Sequence, residues 1–88
     1  MPSATFSLHE RALHTLLNVD ERELRQLLTA FEWLAEDPVG TATAAVLNDE
    51  GQIRYAVEVG RFSILYGIRK SGRHIEIADV RVAARGPQ

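Results

Sequence analysis

Several features that would narrow the function of an 88-residue chain are missing. There is no cysteine, which excludes disulfide bonds and thiolate chemistry and is common in reducing compartments. No apolar run approaches the roughly 18 residues that a membrane-spanning helix needs. The first residues lack a basic segment followed by an apolar core, so we expect no signal peptide. These absences predict a cytoplasmic protein that does not cross a membrane.

The motifs of metal- and cofactor-dependent enzymes are also missing. His9 and His14 are five residues apart, which places their side chains about 140° apart around a helix, whereas two ligands on one helix face are four apart. There is no glycine-rich phosphate loop and no nucleophile elbow. Ser63 has no base near it in the sequence. We therefore expect neither a metal site nor a cofactor.

The composition is that of one small globular domain with an uneven charge distribution. Hydrophobic residues make up 45% of the chain, so we expect a single domain over residues 1–88 that is ordered over about 4–85. Residues 1–50 carry three arginines against nine acids, and residues 51–88 carry seven basic residues against three acids. The basic half could face a polyanion, or its charges could serve solubility alone.

A short strand and a helix are predicted at the start of the chain. Thr5–Leu8 is typical of a strand, and apolar residues recur at helical spacing over about residues 8–17. Ser7 and Glu10 have the spacing of a capping box, which predicts that Ser7 caps this helix. The helix should end near Asn18, where turn-forming residues interrupt the pattern.

A second amphipathic helix is predicted at about residues 21–36. Asp20 and Glu23 form a capping-box-like pair at its start, and Pro38 ends it. Trp33 lies on its polar face, opposite the apolar stripe. An aromatic side chain there favours a partner-binding surface, although it could instead cover a neighbouring loop.

Three strands are predicted in the second half, at about residues 53–59, 61–69 and 74–82. Gly60 predicts a tight first hairpin, and Lys70–Gly72 predicts the second. Alternation assigns one apolar face to the core, made of Tyr55, Val57, Val59, Phe62, Ile64, Tyr66 and Ile68. Arg61 and Ser63 should share the opposite, more polar face.

Two irregular regions complete the predicted fold. Residues 38–52 lack strong periodicity and are expected to be a connector, with residues 44–47 packed on the core. A shift of the apolar phase near Ala78–Asp79 predicts a β-bulge. The fold class is therefore α+β: a short first strand, a two-helix hairpin and a three-stranded antiparallel meander.

Arginines on the predicted sheet are the main candidates for function. Such a cluster could hold phosphates during phosphoryl transfer, could receive the acids of a partner protein, or could simply solvate a strand edge. The candidate catalytic residues are Arg54, Arg61, Arg81 and Arg85. The candidate partner-binding residues are Arg54, Arg61, Arg69, Arg81, Arg85 and Trp33.

Three segments resemble the RelE/ParE toxin superfamily of bacterial toxin–antitoxin and plasmid-stabilisation systems. His9–Leu13 is similar to the family's first helix start, and Leu34–Pro38 is similar to the end of its second helix. Gly60–Tyr66, GRFSILY, is similar to its central Gly-x-Tyr-Arg-Ile-Leu-Tyr strand. The resemblance covers about residues 4–85 and rests on the order and spacing of these segments.

The resemblance implies a function that the site residues only partly match. RelE toxins cleave ribosome-bound mRNA without a metal, using basic residues and a tyrosine near the C-terminus, whereas ParE toxins inhibit DNA gyrase. Both are bound by an antitoxin. Here Ser63 stands at the family's central arginine, Ala56 and Ala83 stand at two further basic positions, and no tyrosine follows the last predicted strand.

Three hypotheses follow from the resemblance and its departures. The first is a toxin-like protein that binds an antitoxin and has little or no mRNA cleavage, acting on DNA gyrase or another target. The second is a non-toxic binding module, for example a homodimer that uses Trp33. The third is an active, metal-independent, ribosome-dependent endoribonuclease. The sequence leaves open whether the protein is an enzyme.

Overall fold

A five-stranded sheet with helices against one face forms the part of the chain that the structure describes. The computed structural model describes residues 5–47, 49–68 and 74–82. The elements are β1 (Thr5–Leu8), α1 (Glu10–Leu16), α2 (Glu21–Glu36), α3 (Pro38–Thr41), β2 (Ala44–Leu47), β3 (Ile53–Val59), β4 (Phe62–Ile68) and β5 (His74–Val82). The strand order is β1-β5-β4-β3-β2. β1 is parallel to β5, and the other pairs are antiparallel. The predicted α+β fold is thus confirmed.

The predicted connector at residues 38–52 contains two further elements. The Asp37 carboxylate accepts from the Gly40 amide at 3.1 Å and caps the one-turn helix α3. β2 then pairs with β3, so the meander has four strands instead of three. The expectation that residues 44–47 pack on the core is wrong, because all four are exposed.

The core lies between the helices and one face of the sheet. The apolar face of β4, with Phe62, Ile64 and Tyr66, is buried, as the alternation predicts. The largest fully buried side chains are Tyr66, Phe31, Phe62, Leu27, Leu34, Ile64, Ile75, Ile77 and Val80. Among the described residues, no helix is both long enough and apolar enough to span a bilayer.

The start of α1 differs from the prediction. Ser7 is not the N-cap, because the chain stays extended through Leu8 and the His9 amide donates to the Ile77 carbonyl at 2.9 Å. His9 is the N-cap instead, and its Nδ1 accepts from the Arg11 amide at 3.3 Å. Pairing of β1 with β5 therefore outweighs the local capping signal.

The start of α2 follows the prediction. Asp20 is the N-cap, and its Oδ1 accepts from the Glu23 amide at 2.8 Å. This bond satisfies one of the amides that a helix leaves unpaired in its first turn. The first turn is thereby fixed, and Glu23 is held facing the sheet hairpin.

The β-bulge lies where the apolar phase shifts. Leu65 is opposite Asp79 and Tyr66 is opposite Ile77, which leaves Ala78 as the extra residue. The extra residue lets Ile77 and Val80 both point into the core although they are three positions apart. Asp79 consequently lies on the open face of the sheet, beside Leu65.

The turn between β3 and β4 has the glycine that its geometry needs. Gly60 has φ of 58°, a conformation that L side chains rarely adopt. No non-glycine residue in the described ranges has positive φ, so the Gly60–Arg61 turn matches type II′. The second predicted turn, Lys70–Gly72, lies outside the described residues.

Candidate functional site: the open face of the sheet

The sheet face turned away from the helices carries most of the candidate polar residues. Residues that are directly opposite in a sheet share a face. One row therefore runs through Glu58, Ser63 and Arg81, and a parallel row near the other end of the strands contains Gly67, Glu76 and Ser7. Between these two rows lie Ala56, Leu65 and Asp79. The open face thus mixes acids, bases and apolar side chains.

Arg54 crosses the sheet at one end of this face. Its side chain is half-buried, and a Cβ placed on Gly67 would collide with its Nη1. Gly67 therefore leaves the space that Arg54 occupies. Arg54 Nη2 donates to Gln52 Oε1 at 3.5 Å. Arg54 borders an open, mostly polar hollow of about 670 Å³ that also contains Glu76.

Arg81 lies at the opposite end of the face, next to an acid. Its Nε donates to Asp79 Oδ2 at 2.7 Å, so its charge is largely compensated. Glu58 is opposite Ser63, which is opposite Arg81. Arg54 is four residues from Glu58 along β3, so its Cα is on the order of 15 Å from that of Arg81. The two arginines do not form one cluster.

Arg61 does not lie on the open face, although alternation predicts it there. It belongs to the turn rather than to β4, and its guanidinium faces helix α2. Its Nε donates to Glu23 Oε2 at 2.5 Å and its Nη2 donates to Glu23 Oε1 at 3.0 Å. The guanidinium also lies over the Phe62 ring, 4.8 Å from the ring centroid. Arg61 is therefore part of the contact between the helix and the hairpin.

This contact changes the proton affinity of both partners. The Arg61 hydrogen bonds lower the pKa of Glu23 below its usual value, and a hydrogen bond from the Asp20 backbone lowers it further. The same pair raises the pKa of Arg61. Glu23 is exposed enough to reach solvent. Arg61 is therefore held as a partner of Glu23 and is not available to stabilise a phosphate on the sheet.

The charge of the open face is not basic within the described residues. Its cations are Arg54 and Arg81, and its anions are Glu58, Glu76 and Asp79. Arg69 and Arg85, the remaining candidate arginines, lie outside the described residues. The described face therefore lacks the excess of cations that would hold a polyanion.

A pair of polar side chains at the β1 edge has no counterpart in the sequence prediction. His74 Nε2 and Ser7 Oγ are 3.0 Å apart, because the parallel register places β1 beside the start of β5. No local sequence pattern could predict this contact, because Ser7 and His74 are 67 residues apart in the chain. The pairing of Asp79 with Arg81 was not predicted for a different reason. The β-bulge determines on which face of the sheet the Asp79 side chain lies.

Trp33 lies away from the sheet, on the outer face of α2. Its side chain is 62% exposed, so it does not cover a loop. It borders an open groove of about 800 Å³ that runs along α2 and reaches Val59 at the end of β3. No group of three or more His, Asp or Glu side chains in the described ranges could hold a metal ion.

Comparison with known proteins gives structural matches only. No protein-family model matches the sequence, and no curated protein matches it either. The RelE–RelB complex of Pyrococcus horikoshii contains a chain that superposes with a TM-score of 0.76 at 16% identity, covering 98% of this chain and 100% of that one. The chain has the fold of the RelE toxins.

Two further structures give the same RelE fold. The RelBE2 toxin–antitoxin complex of Mycobacterium tuberculosis matches with a TM-score of 0.76 at 18% identity, over 92% of this chain and 99% of that one. The isolated RelE toxin of Escherichia coli matches with a TM-score of 0.75 at 16% identity, over 96% and 88%. The resemblance inferred from the sequence is confirmed at the level of the RelE fold.

Proposed function

We propose that the protein is the toxin-like component of a type II toxin–antitoxin pair and that it does not cleave mRNA on its sheet face. The RelE fold covers nearly the whole chain, and two of the matching structures are complexes of a toxin with its antitoxin. A fold can host several functions, so the site residues decide which activity accompanies it.

The observation that carries the proposal is the separation of Arg54, Arg61 and Arg81, the three candidate arginines within the described residues. Arg61 is paired with Glu23, Arg81 is paired with Asp79, and Arg54 lies at the far end of the face. Phosphoryl transfer needs cations placed together around the developing charge. Ser63 stands at the position where the resemblance implies a central arginine. This arrangement supports binding rather than catalysis.

The edge strand β2 is the surface that best fits an antitoxin segment. None of its four residues is charged and none is proline, although natural edge strands usually carry such residues to prevent pairing. Val46 and Leu47 of β2 are more than half exposed, and so is Ile53 on the neighbouring strand β3. A partner strand could pair with β2 and cover these side chains, as in other cases of strand addition.

The experiment is induced expression in a bacterial host with and without the gene next to the one that encodes this chain. We expect the neighbouring protein to co-purify with the chain and to relieve any growth inhibition. Val46→Lys should weaken the co-purification while leaving the fold intact, because its side chain is 53% exposed. Val39→Lys is the matched control, since Val39 is exposed to a similar extent away from β2. An unaffected host together with no co-purified neighbour would contradict the proposal.

The absence of mRNA cleavage is tested separately by primer extension on translated transcripts after induction. We expect intact transcripts. New, codon-aligned cleavage ends that disappear in an Arg54→Ala or Arg81→Ala variant would show an active endoribonuclease and overturn this part of the proposal.

The remaining part of the proposal concerns the cellular target on which the toxin-like protein acts. The ParE side of the resemblance implies DNA gyrase, so we propose gyrase as the first target to test if growth is inhibited while transcripts stay intact. A supercoiling assay with purified gyrase and purified chain checks this. Full supercoiling activity at a large excess of the chain would exclude gyrase.

A further inference from the structure

We propose that the outer face of α2 is a self-complementary surface through which two copies of the chain associate. This inference concerns a surface other than the open face and the β2 edge, and it does not depend on the proposed function. The observation behind it is the groove beside Trp33, in which four of the lining residues form a regular stripe along the helix.

The stripe consists of Arg22, Gln26, Thr29 and Trp33, all exposed. Their spacing of four, three and four residues keeps them on one side of an α-helix. Arg22 and Trp33 lie at the two ends, about 16 Å apart along the axis. Arg22 forms no ion pair within the described part of the chain, and most of the Trp33 side chain contacts no protein atom.

A two-fold axis between residues 27 and 28 makes this stripe complementary to itself. When two α2 helices pack antiparallel about that axis, Arg22 lies opposite the partner's Trp33, and Gln26 lies opposite the partner's Thr29. An arginine over an indole ring is a favourable cation–π contact, and the amide and hydroxyl can form a hydrogen bond. Because the interface is two-fold symmetric, each contact occurs twice.

The charges of the groove favour a second copy over a strongly charged partner. Its acids are Asp20 and Glu21, and its bases are Arg22 and Arg25, so the formal charges cancel. Arg25 is already paired with Glu21 at 2.7 Å. A neutral surface that contains both a free guanidinium and a free aromatic face supplies both halves of one interaction.

The β3–β4 hairpin borders the stripe on one side. The Gly60 turn lies beside Gln26 at one side of α2, and Val59 forms one wall of the groove. The two-fold axis lies in the interface, perpendicular to the helices, so it keeps both hairpins on the same side of the helix pair, each beside its own helix. One pair of 16-residue helices gives a small contact area, and we expect a dissociation constant in the micromolar range.

Sedimentation velocity of the full chain over roughly 5–500 μM tests the association. We expect a concentration-dependent monomer–dimer equilibrium. Trp33→Ala should weaken dimerisation by about tenfold, since two exposed cation–π contacts are lost together. Leu17→Ala is the matched control, because Leu17 is 75% exposed but lies off the stripe, and it should leave the equilibrium unchanged.

A swap of the two end residues distinguishes a second copy from any other occupant. Trp33→Arg alone should abolish the dimer, because it places two arginines against each other twice. Adding Arg22→Trp should restore it, since each copy again offers one arginine and one tryptophan at opposed positions. Circular dichroism on every variant checks that the fold is kept.

Three outcomes would overturn the inference. The first is a wild-type chain that stays monomeric up to 500 μM, a chosen upper limit on the order of a thousandfold above a micromolar constant. The second is a dimer that Trp33→Arg does not weaken or that the double swap does not restore. The third is a monomeric chain whose Trp33→Ala variant loses its co-purified neighbour, which would assign the groove to that partner.

Discussion

Arg61 and Glu23 form a bidentate ion pair that joins the β3–β4 turn to the first turn of α2. Two N–H groups of the guanidinium donate to the two carboxylate oxygens at 2.5 and 3.0 Å. Glu23 is held in place by its position three residues after the Asp20 cap. A capping motif thus orients the acid that removes an arginine from the open face.

Replacing Glu23 with glutamine should lower stability at neutral pH but not in acid. The folded-state pKa of Glu23 is lowered, so its ionised form stabilises the fold above the usual value of 4.5, and this contribution is lost as the pH falls through the lower folded value. We therefore expect the urea midpoint of the wild type to exceed that of Glu23→Gln at pH 7, and the two midpoints to converge as the pH falls below the folded-state pKa of Glu23.

The control for this experiment is Glu21→Gln, which breaks the exposed pair with Arg25 on the same helix. Exposed pairs within one helix contribute little, so its midpoint should change less than that of Glu23→Gln. Equal shifts at pH 7, or a Glu23→Gln difference that persists in acid, would contradict the assigned role of the Arg61 pair.

Replacing Tyr66 with phenylalanine should cost about 1 kcal/mol of unfolding free energy. The Tyr66 hydroxyl donates to the Pro38 carbonyl at 2.6 Å, and its side chain is fully buried. Removing the hydroxyl leaves that carbonyl without its donor. Tyr55→Phe is the control, since Tyr55 stacks on Tyr66 at a centroid distance of 5.7 Å but is only partly buried. Chemical denaturation measures both, and an equal cost would argue against the hydrogen bond.

The same tyrosine should make the protein sensitive to alkali. Burial, with smaller contributions from Tyr55 and Asp37, raises the pKa of Tyr66 to about 12. An unfolded tyrosine ionises near 10, so the stabilisation is complete below about pH 10 and is lost as the pH rises towards 12. We expect the urea midpoint to fall between about pH 10 and 11.5, and to fall less in Tyr66→Phe. The prediction would be contradicted if the urea midpoints of the wild type and of Tyr66→Phe fell equally over this pH range.

The two helix caps should differ in strength. Asp20→Ala should cost about 1 kcal/mol, because it removes a well-formed bond to the Glu23 amide. His9→Ala should cost less, since His9 accepts at 3.3 Å. His9→Asp should stabilise the protein by a few tenths of a kcal/mol, because Asp is a preferred N-cap. Thermal unfolding ranks the variants. A cost of His9→Ala that exceeds that of Asp20→Ala would reverse the order.

Gly67→Ala should displace Arg54 without unfolding the protein. The new Cβ meets the far end of the Arg54 side chain, which can rotate away at low cost. We expect a stability change of less than about 1 kcal/mol together with a shifted Arg54 Nε–Hε resonance in NMR spectra. In an Arg54→Ala background the collision is removed, so the substitution should be more favourable there. Identical effects in both backgrounds would show that the two residues do not interact.

Local periodicity was enough to predict the two longer helices, the last three strands and the face that packs on the core. The alternation through Phe62, Ile64 and Tyr66 predicted their burial, because side chains on a half-buried strand must obey a period of two. The bulge at Ala78 was predictable for the same reason. Each of these features is decided within about ten residues.

Features decided by distant pairing were not predictable from the sequence. β2 was missed because Ala44–Leu47 is exposed on both faces, so burial imposes no alternation on it. Ser7 was wrongly predicted as a cap because β1 pairs with β5. Arg61 was placed on the wrong side because its partner, Glu23, lies on a different element. The alternation of side chains along a strand does not predict the direction of a long side chain that belongs to a turn.

The parallel pairing of β1 with β5 has a consequence for how the chain is made. Thr5 pairs with His74, so β1 leaves the ribosome long before the strand with which it pairs. Its partner strand is translated only after the three helices and the other three strands have been made. Contacts this far apart in sequence slow folding. The complete sheet therefore cannot form on a nascent chain that lacks β5. Folding is completed only after that strand has been synthesised.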